Sequence, residues 1–257
     1  IHSNGTLTIE DCNFSSGRGM YGGAIHALGG LTISGSHFKD NMAINDGGSL
    51  YIADSSLTSI VSDSTFKNDK ALTGNGGSIY SATSLLTLRN LSFTGCFANN
   101  NGGAIMLSGH NTTLDNVNIS GCNATLNGGA IYFRHNHKLL SNLRFENNRA
   151  DFGGAIYCYP ECEGIDDGGL INVTFIGNKA IEDGGAMHVS GDNGKMTNAT
   201  FKNNIANGNG GAMFINGTGW RVYNSTFDVN TAKNDGGAMH VNSGTGIMIV
   251  YSNFTSN

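Results

Sequence analysis

GGAIYFRHNHKLLSNLRFENNRADFGGAI, residues 128–156, opens and closes on the same quartet, with the Phe-x-x-Asn of FENN between. The quartet recurs along the chain: GGAI at Gly22, Gly102, Gly128 and Gly153, GGSL at Gly47, GGSI at Gly76, and GGAM at Gly184, Gly210 and Gly236. A Phe precedes each pair by eight to ten residues, with Ile119 as the only substitute. One short repeat therefore accounts for nearly the whole sequence, and repeats of this length build solenoids.

Aligned on that Phe, the chain resolves into columns. The first holds Phe14, Phe38, Phe66, Phe93, Ile119, Phe145, Phe175, Phe201, Phe227 and Phe254. Three positions on stand Asn41, Asp69, Cys96, Cys122, Asn148, Asn178, Asn204, Asn230 and Asn257. Two further, eight coils running carry Ala, from Ala43 to Ala232, which marks a tight inward position. After each glycine pair the alternation of Ala130-Ile131-Tyr132-Phe133 or Ala238-Met239-His240-Val241 predicts a strand with Ile131 and Met239 inside and Tyr132 and His240 outside. Before the Phe, inward residues such as Leu114 and Val117 are three apart. One flat strand cannot do this, since its side chains alternate with a period of two. The chain must bend between them, and Asn90, Asn116, Asn142, Asn172, Asn198 and Asn224 occupy the bend. Asn tolerates the left-handed backbone that a sharp bend needs, and stacked Asn side chains can form a ladder. The glycine pair predicts a second corner with no room for a Cβ.

Helical repeats are excluded by a Gly-Gly pair in every coil. Leucine-rich repeats need several Leu per repeat, and most coils here have one or two. What remains is an all-β parallel β-helix of about ten coils of about 26 residues, a rod of roughly 45–50 Å. Residues 1–257 read as a single such segment, expected to be part of a longer chain.

Charged residues are 13% of the 257, against about 25% in an average soluble domain. Net charge is −5 and no Lys/Arg run exists, so a nucleic-acid partner is not expected. No apolar stretch reaches the ~18 residues of a membrane-spanning helix.

The pairing of GGA[ILM] with FxxN resembles the repeat of the chlamydial polymorphic outer-membrane proteins, and related adhesin-like surface proteins, over essentially the whole chain from Phe14 to Asn257. The resemblance implies a right-handed parallel β-helix at the cell surface, serving adhesion or envelope structure, with no catalytic residues to carry over. The C-terminal autotransporter barrel of the chlamydial proteins is not expected within residues 1–257.

Cys96 and Cys122 share the FxxN column in adjacent coils. Stacked Cα atoms about 4.8 Å apart fall inside the disulfide window, so a bridge is expected there, worth about 3 kcal/mol. Cys158 and Cys162 flank the single Pro in CYPECEG, where a loop disulfide is expected rather than a metal site. Cys12 is left over. Of eleven N-x-[ST] sequons, Asn90, Asn172, Asn198 and Asn224 are explained by the bend column. Asn13, Asn111, Asn118, Asn216 and Asn253 are the better glycosylation candidates, at loop or outward positions.

Parallel β-helices also house polysaccharide lyases and hydrolases, which need paired carboxylates or an acidic metal cluster in a groove. The densest acidic patch is Glu161, Glu163, Asp166 and Asp167, with no Lys or Arg nearby, and reads as a solvated loop. Asp183, Asn209 and Asp235 precede glycine pairs where other coils have Asn75, Asn101 and Asn127, so a corner ladder is expected. His26, His188 and His240 share an outward column, and His135 and His137 lack a third ligand, so no metal is expected. Trp220 is either a sugar-stacking contact or the cover of a core edge. The chain is thus expected to be a non-enzymatic surface protein without cofactors, an adhesin or a building block of a sheath or filament. Its partners would be copies of itself, or glycans or proteins of a neighbouring or host cell, with no membrane insertion in this segment. The competing class is a pectin-lyase-like carbohydrate-active enzyme or polysaccharide-binding β-helix.

Overall fold

The computed structural model describes residues 1–135, 139–160 and 169–257. Every strand pairing is parallel and joins equivalent positions of successive coils, as in Phe38↔Phe66, Phe66↔Phe93 and Ala71↔Ala98. Three sheets run along the axis, one of ten strands, one of sixteen and one of nine. With ten strands in the first and nine in the last, the chain is an all-β parallel solenoid of about nine complete turns.

The first sheet starts after each glycine pair, as at Ile79–Ser81, Ile131–Phe133 and Met213–Ile215. The second carries the Phe column. It includes long strands such as Ser59–Lys67 and Leu139–Glu146, which run through the bend. The third consists of two-residue strands holding the Ala column, as at Lys70–Ala71 and Arg149–Ala150.

The six bend asparagines all adopt positive φ, from 45° at Asn224 to 56° at Asn142 and Asn198. Asp11, Gly35, Asp63 and Tyr251 do the same in the remaining coils. Turning the backbone there puts both Leu114 and Val117, or Leu140 and Leu143, inside. The three-residue spacing is thereby accommodated.

A second left-handed column lies two residues after each Phe, at Ser16, Asp40, Asn68, Gly95, Gly121, Asn147, Gly177, Asn203, Val229 and Ser256. The glycine pair makes the third corner, and its two members do different work. Gly76 has φ +63°, whereas a Cβ on Gly77 would run into the carbonyl oxygen of Gly103 in the next coil.

Inside, the Phe rings stack face to face with centroids 4.6–5.0 Å apart, interrupted only at Ile119. Parallel in-register pairing produces this stack directly, because equivalent side chains repeat at the inter-strand spacing of about 4.8 Å. Leu, Ile, Val and Met from the first and second sheets fill the remaining interior.

Candidate functional site

Most of the polar residues singled out in the sequence belong to ladders along the axis. The FxxN column is one, and it is buried: Asn41, Asp69, Asn148, Asn178, Asn204 and Asn230 are at most 1% exposed. Each Asn backbone N–H donates to the side-chain oxygen of the next coil, as from Asn148 to Asn178 Oδ1 at 3.0 Å. Each Nδ2 donates to that same oxygen and to the preceding coil's Phe-column carbonyl, as from Asn178 to Asn204 Oδ1 and to Phe145 O. A strand of buried amides is thereby fully satisfied, which is the condition for burying them at all.

Asp69 stands in this ladder without an amide to donate. Asn41 donates to its Oδ1 from backbone and side chain, at 3.0 and 3.3 Å, and Ser78 Oγ donates to its Oδ2 at 3.1 Å. Burial raises its pKa to about 6, against bonds from Ser49, Asn41 and Ser78 that hold it down. The two coils flanking this carboxyl are the ones where Ser replaces Ala after the glycine pair. That coincidence was available in the sequence as GGSL and GGSI and was the signal for a buried acid.

The bridge expected between Cys96 and Cys122 does not form; both are free, buried thiols. In-register neighbours point the same way, so their Cβ atoms keep about the 4.8 Å strand spacing, beyond the roughly 3.5–4.5 Å that a disulfide requires. The sulfurs take the ladder's acceptor role instead. Cys96 N–H donates to Cys122 Sγ at 3.3 Å, and Cys96 Sγ lies 2.9 Å from Ser78 Oγ. Burial, and then Cys122, push the Cys96 pKa well up, so it stays a thiol. Cys12 is free and half-buried. Cys158 ends a strand of the first sheet, while its expected partner Cys162 lies outside the described residues.

The bend column forms a second, exposed ladder with the opposite polarity: Asn116 Nδ2 donates back to Asn90 Oδ1, Asn198 to Asn172 and Asn224 to Asn198. Asp63 accepts from Asn90 at 2.8 Å, and this bond lowers its pKa. The row before the glycine pairs is a third ladder. Asn75 donates to Asp46, Asn101 to Asn75, Asn127 to Asn101 and Asn209 to Asp183. Asp183 is therefore a corner acceptor, as expected, and Asp235 N–H closes onto Asn209 Oδ1.

Trp220 is 1% exposed and donates from Nε1 to Gly191 O at 2.8 Å; its ring lies where a Cβ on Gly194 would stand. It covers a core edge. His26 and His240 face outward on the first sheet, and His188 lies between the rings of Tyr157 and Phe214. Burial lowers the His188 pKa to about 4. His135 stacks on His110 at 4.2 Å, and His137 lies outside the described residues. So do Glu161, Glu163, Asp166 and Asp167. Among the described residues, no group of three or more His, Cys, Asp or Glu is placed to hold a metal ion. Asn13, Asn111, Asn118, Asn216 and Asn253 are all exposed.

The outward row of the first sheet is mainly aromatic: Tyr51, Tyr80, Tyr132, Tyr157, His188, Phe214 and His240. Tyr51 stacks on Tyr80 at 5.0 Å and Tyr132 on Tyr157 at 5.3 Å. Met106 stands between Tyr80 and Tyr132, and no ring continues the stack there. At this break lies a depression of about 330 Å³, lined by Asn75, Tyr80, Asn101, Met106, Tyr132, Arg134 and Tyr159. Sequence reading placed Tyr132 outside but missed the depression, because it arises from a missing ring and not from a motif.

The molecule is thus a ladder-stabilised parallel β-solenoid whose chemistry-bearing side chains lie mostly in rows. Residues 142–159 match the model of the Chlamydia polymorphic membrane protein repeat. That stretch runs from the bend residue Asn142 through Phe145–Asn148 and the GGAI quartet to Tyr159. Nothing matches among the curated proteins or among the solved structures.

Proposed function

We propose that this chain is a non-enzymatic segment of a cell-surface protein and that it acts as an adhesin. The observation that carries the proposal is the repeat match at residues 142–159, together with the same two motifs keeping register through the other coils. The positions of the acidic residues support the non-enzymatic part. Asp46 and Asp183 each accept both the backbone and the side-chain N–H of the next coil's Asn, so these carboxylates serve as corner struts. A hydrolase or lyase would need such groups facing a substrate.

Exposure at Asn13, Asn111, Asn118, Asn216 and Asn253 fits glycan attachment, which a glycosidase-sensitive mass shift in native material would register. Beads coated with the purified chain should adhere to cells, and intact producing cells should lose the chain to added protease. Ordered filaments in electron micrographs, without cell binding, would mark a sheath subunit instead. Turnover in a polysaccharide-degradation assay would falsify the non-enzymatic reading.

A further inference from the structure

We propose that the depression at the break in the tyrosine row binds an acidic sugar residue, a uronate within an oligosaccharide. This deepens the adhesin reading and rests on it. The first argument is the balance of donors and acceptors. Asn75 and Asn101 spend Oδ1 on the next coil's amide and one amide hydrogen on the previous coil's acceptor, which leaves each a spare N–H. Arg134 is exposed, and among the described residues its side chain has neither a carboxylate nor a hydrogen-bond partner. Among the described residues no carboxylate lines the depression, and Asp46 in the corner row is bonded to Asn75. Among the described residues the site therefore offers donors and a guanidinium with no carboxylate partner, a fork that matches a carboxylate with two parallel bonds.

The second argument is shape. The flanking ring stacks end at Tyr80 and Tyr132, with the Met106 thioether as a floor between them. Tyr159 lies tilted at 38° to Tyr132, at 6.3 Å. Rings and thioether give apolar contact to the C–H face of a sugar, while the amides meet its hydroxyls. A volume of about 330 Å³ falls at the small end of the ligand-site range. The rows also run along the solenoid axis, and the repeat of an extended hexose chain is close to the inter-strand spacing of about 4.8 Å. An oligosaccharide can thus lie along the sheet and place one acidic residue at Arg134.

Calorimetric titration of the purified chain with oligogalacturonate and with hyaluronan fragments tests the site, with dextran fragments as the neutral comparison. Binding is expected for at least one acidic series, weakening with salt. It should fall about tenfold or more in Arg134→Gln, as expected for loss of a charge-assisted bond. Arg144→Gln, on the second sheet, should bind like the unmodified chain. No binding of either acidic series, equal binding of dextran, or unchanged affinity in Arg134→Gln would each overturn the proposal. Bead adhesion to cells, measured with the same variants, separates the two levels. Adhesion that Arg134→Gln leaves intact removes this site and keeps the adhesin, whereas no adhesion by any variant removes the adhesin itself.

Discussion

Asp69 is the one carboxyl in the buried amide ladder. In the coils with Asn an amide donates to the carbonyl of the preceding Phe column, as Asn41 does to Phe14 O at 3.1 Å. A carboxylate at this position has nothing to donate, so the neutral acid suits the site better than the anion. Its folded pKa of about 6 lies above the ordinary 3.8, so the stability it contributes is fully present below pH 3.8 and is lost as pH rises through 6. A rise of that size corresponds to about 3 kcal/mol. Asp69→Asn should therefore raise stability at pH 8 by about 1–3 kcal/mol and flatten the profile between pH 4 and 7. Urea melts of both proteins across that range provide the check, and parallel pH profiles would reject the assignment. Val229 is a different kind of anomaly. It holds φ +53° in a column otherwise made of Asn, Asp, Gly and Ser, and β-branched side chains are disfavoured there. Val229→Asn should stabilise the chain by about 1 kcal/mol, seen as a higher urea midpoint at unchanged slope.

At the scale of the corner, glycines that look alike in sequence carry different constraints. Gly77 has no room, because its Cβ would meet the backbone of Gly103 and Phe97, and backbone cannot swing away. Gly121 has φ +61° with open space around it. Gly77→Ala should cost about 3 kcal/mol or more, and Gly121→Asn well under 1 kcal/mol, since Asn fills the same column at Asn68, Asn147 and Asn203. Equal losses in urea unfolding would contradict this division. The bend was legible because Leu114 and Val117 break the period of two, a constraint internal to one coil. The second left-handed column was equally open to view, as a run of Asn, Asp, Ser and Gly two residues after Phe, but Val229 and the short strands hid its meaning. The bridge expected between Cys96 and Cys122 failed for another reason. Its test used Cα spacing, which every stacked pair satisfies, and ignored that stacked Cβ vectors are parallel. The depression at Arg134 had no sequence signal at all, since it depends on which side chain interrupts a stack across coils.

At the scale of the whole molecule, stability accumulates coil by coil. Each coil touches only its neighbours, so the rod should behave as a sum of coil and interface terms. The ladders that join the coils are largely neutral amides and rings, and the ion pairs among the described residues lie at the surface, as at Arg144–Glu146 and Lys202–Asp228. Exposed pairs contribute little, so salt should hardly change the melting behaviour. What the rod cannot tolerate is loss of register. Removing Lys202–Phe227 joins Phe201 to Asp228 at equivalent points of successive coils, where Lys202 and Asp228 are already paired. Asn178 would then meet Asn230 as it now meets Asn204, and Ala180 would meet Ala232. This deletion should fold, keep the β signature in circular dichroism, and shorten the rod by about 4.8 Å in X-ray scattering. Removing only Lys202–Phe214 takes half a coil and sets Asn216 and its neighbours against the Phe and Ala columns. The Phe stack, the buried amide ladder and the glycine corner would all lose their partners at once. That shorter deletion should unfold or aggregate although it removes fewer residues. If instead it melted like the whole-coil deletion, stacked register would not be what holds this chain together.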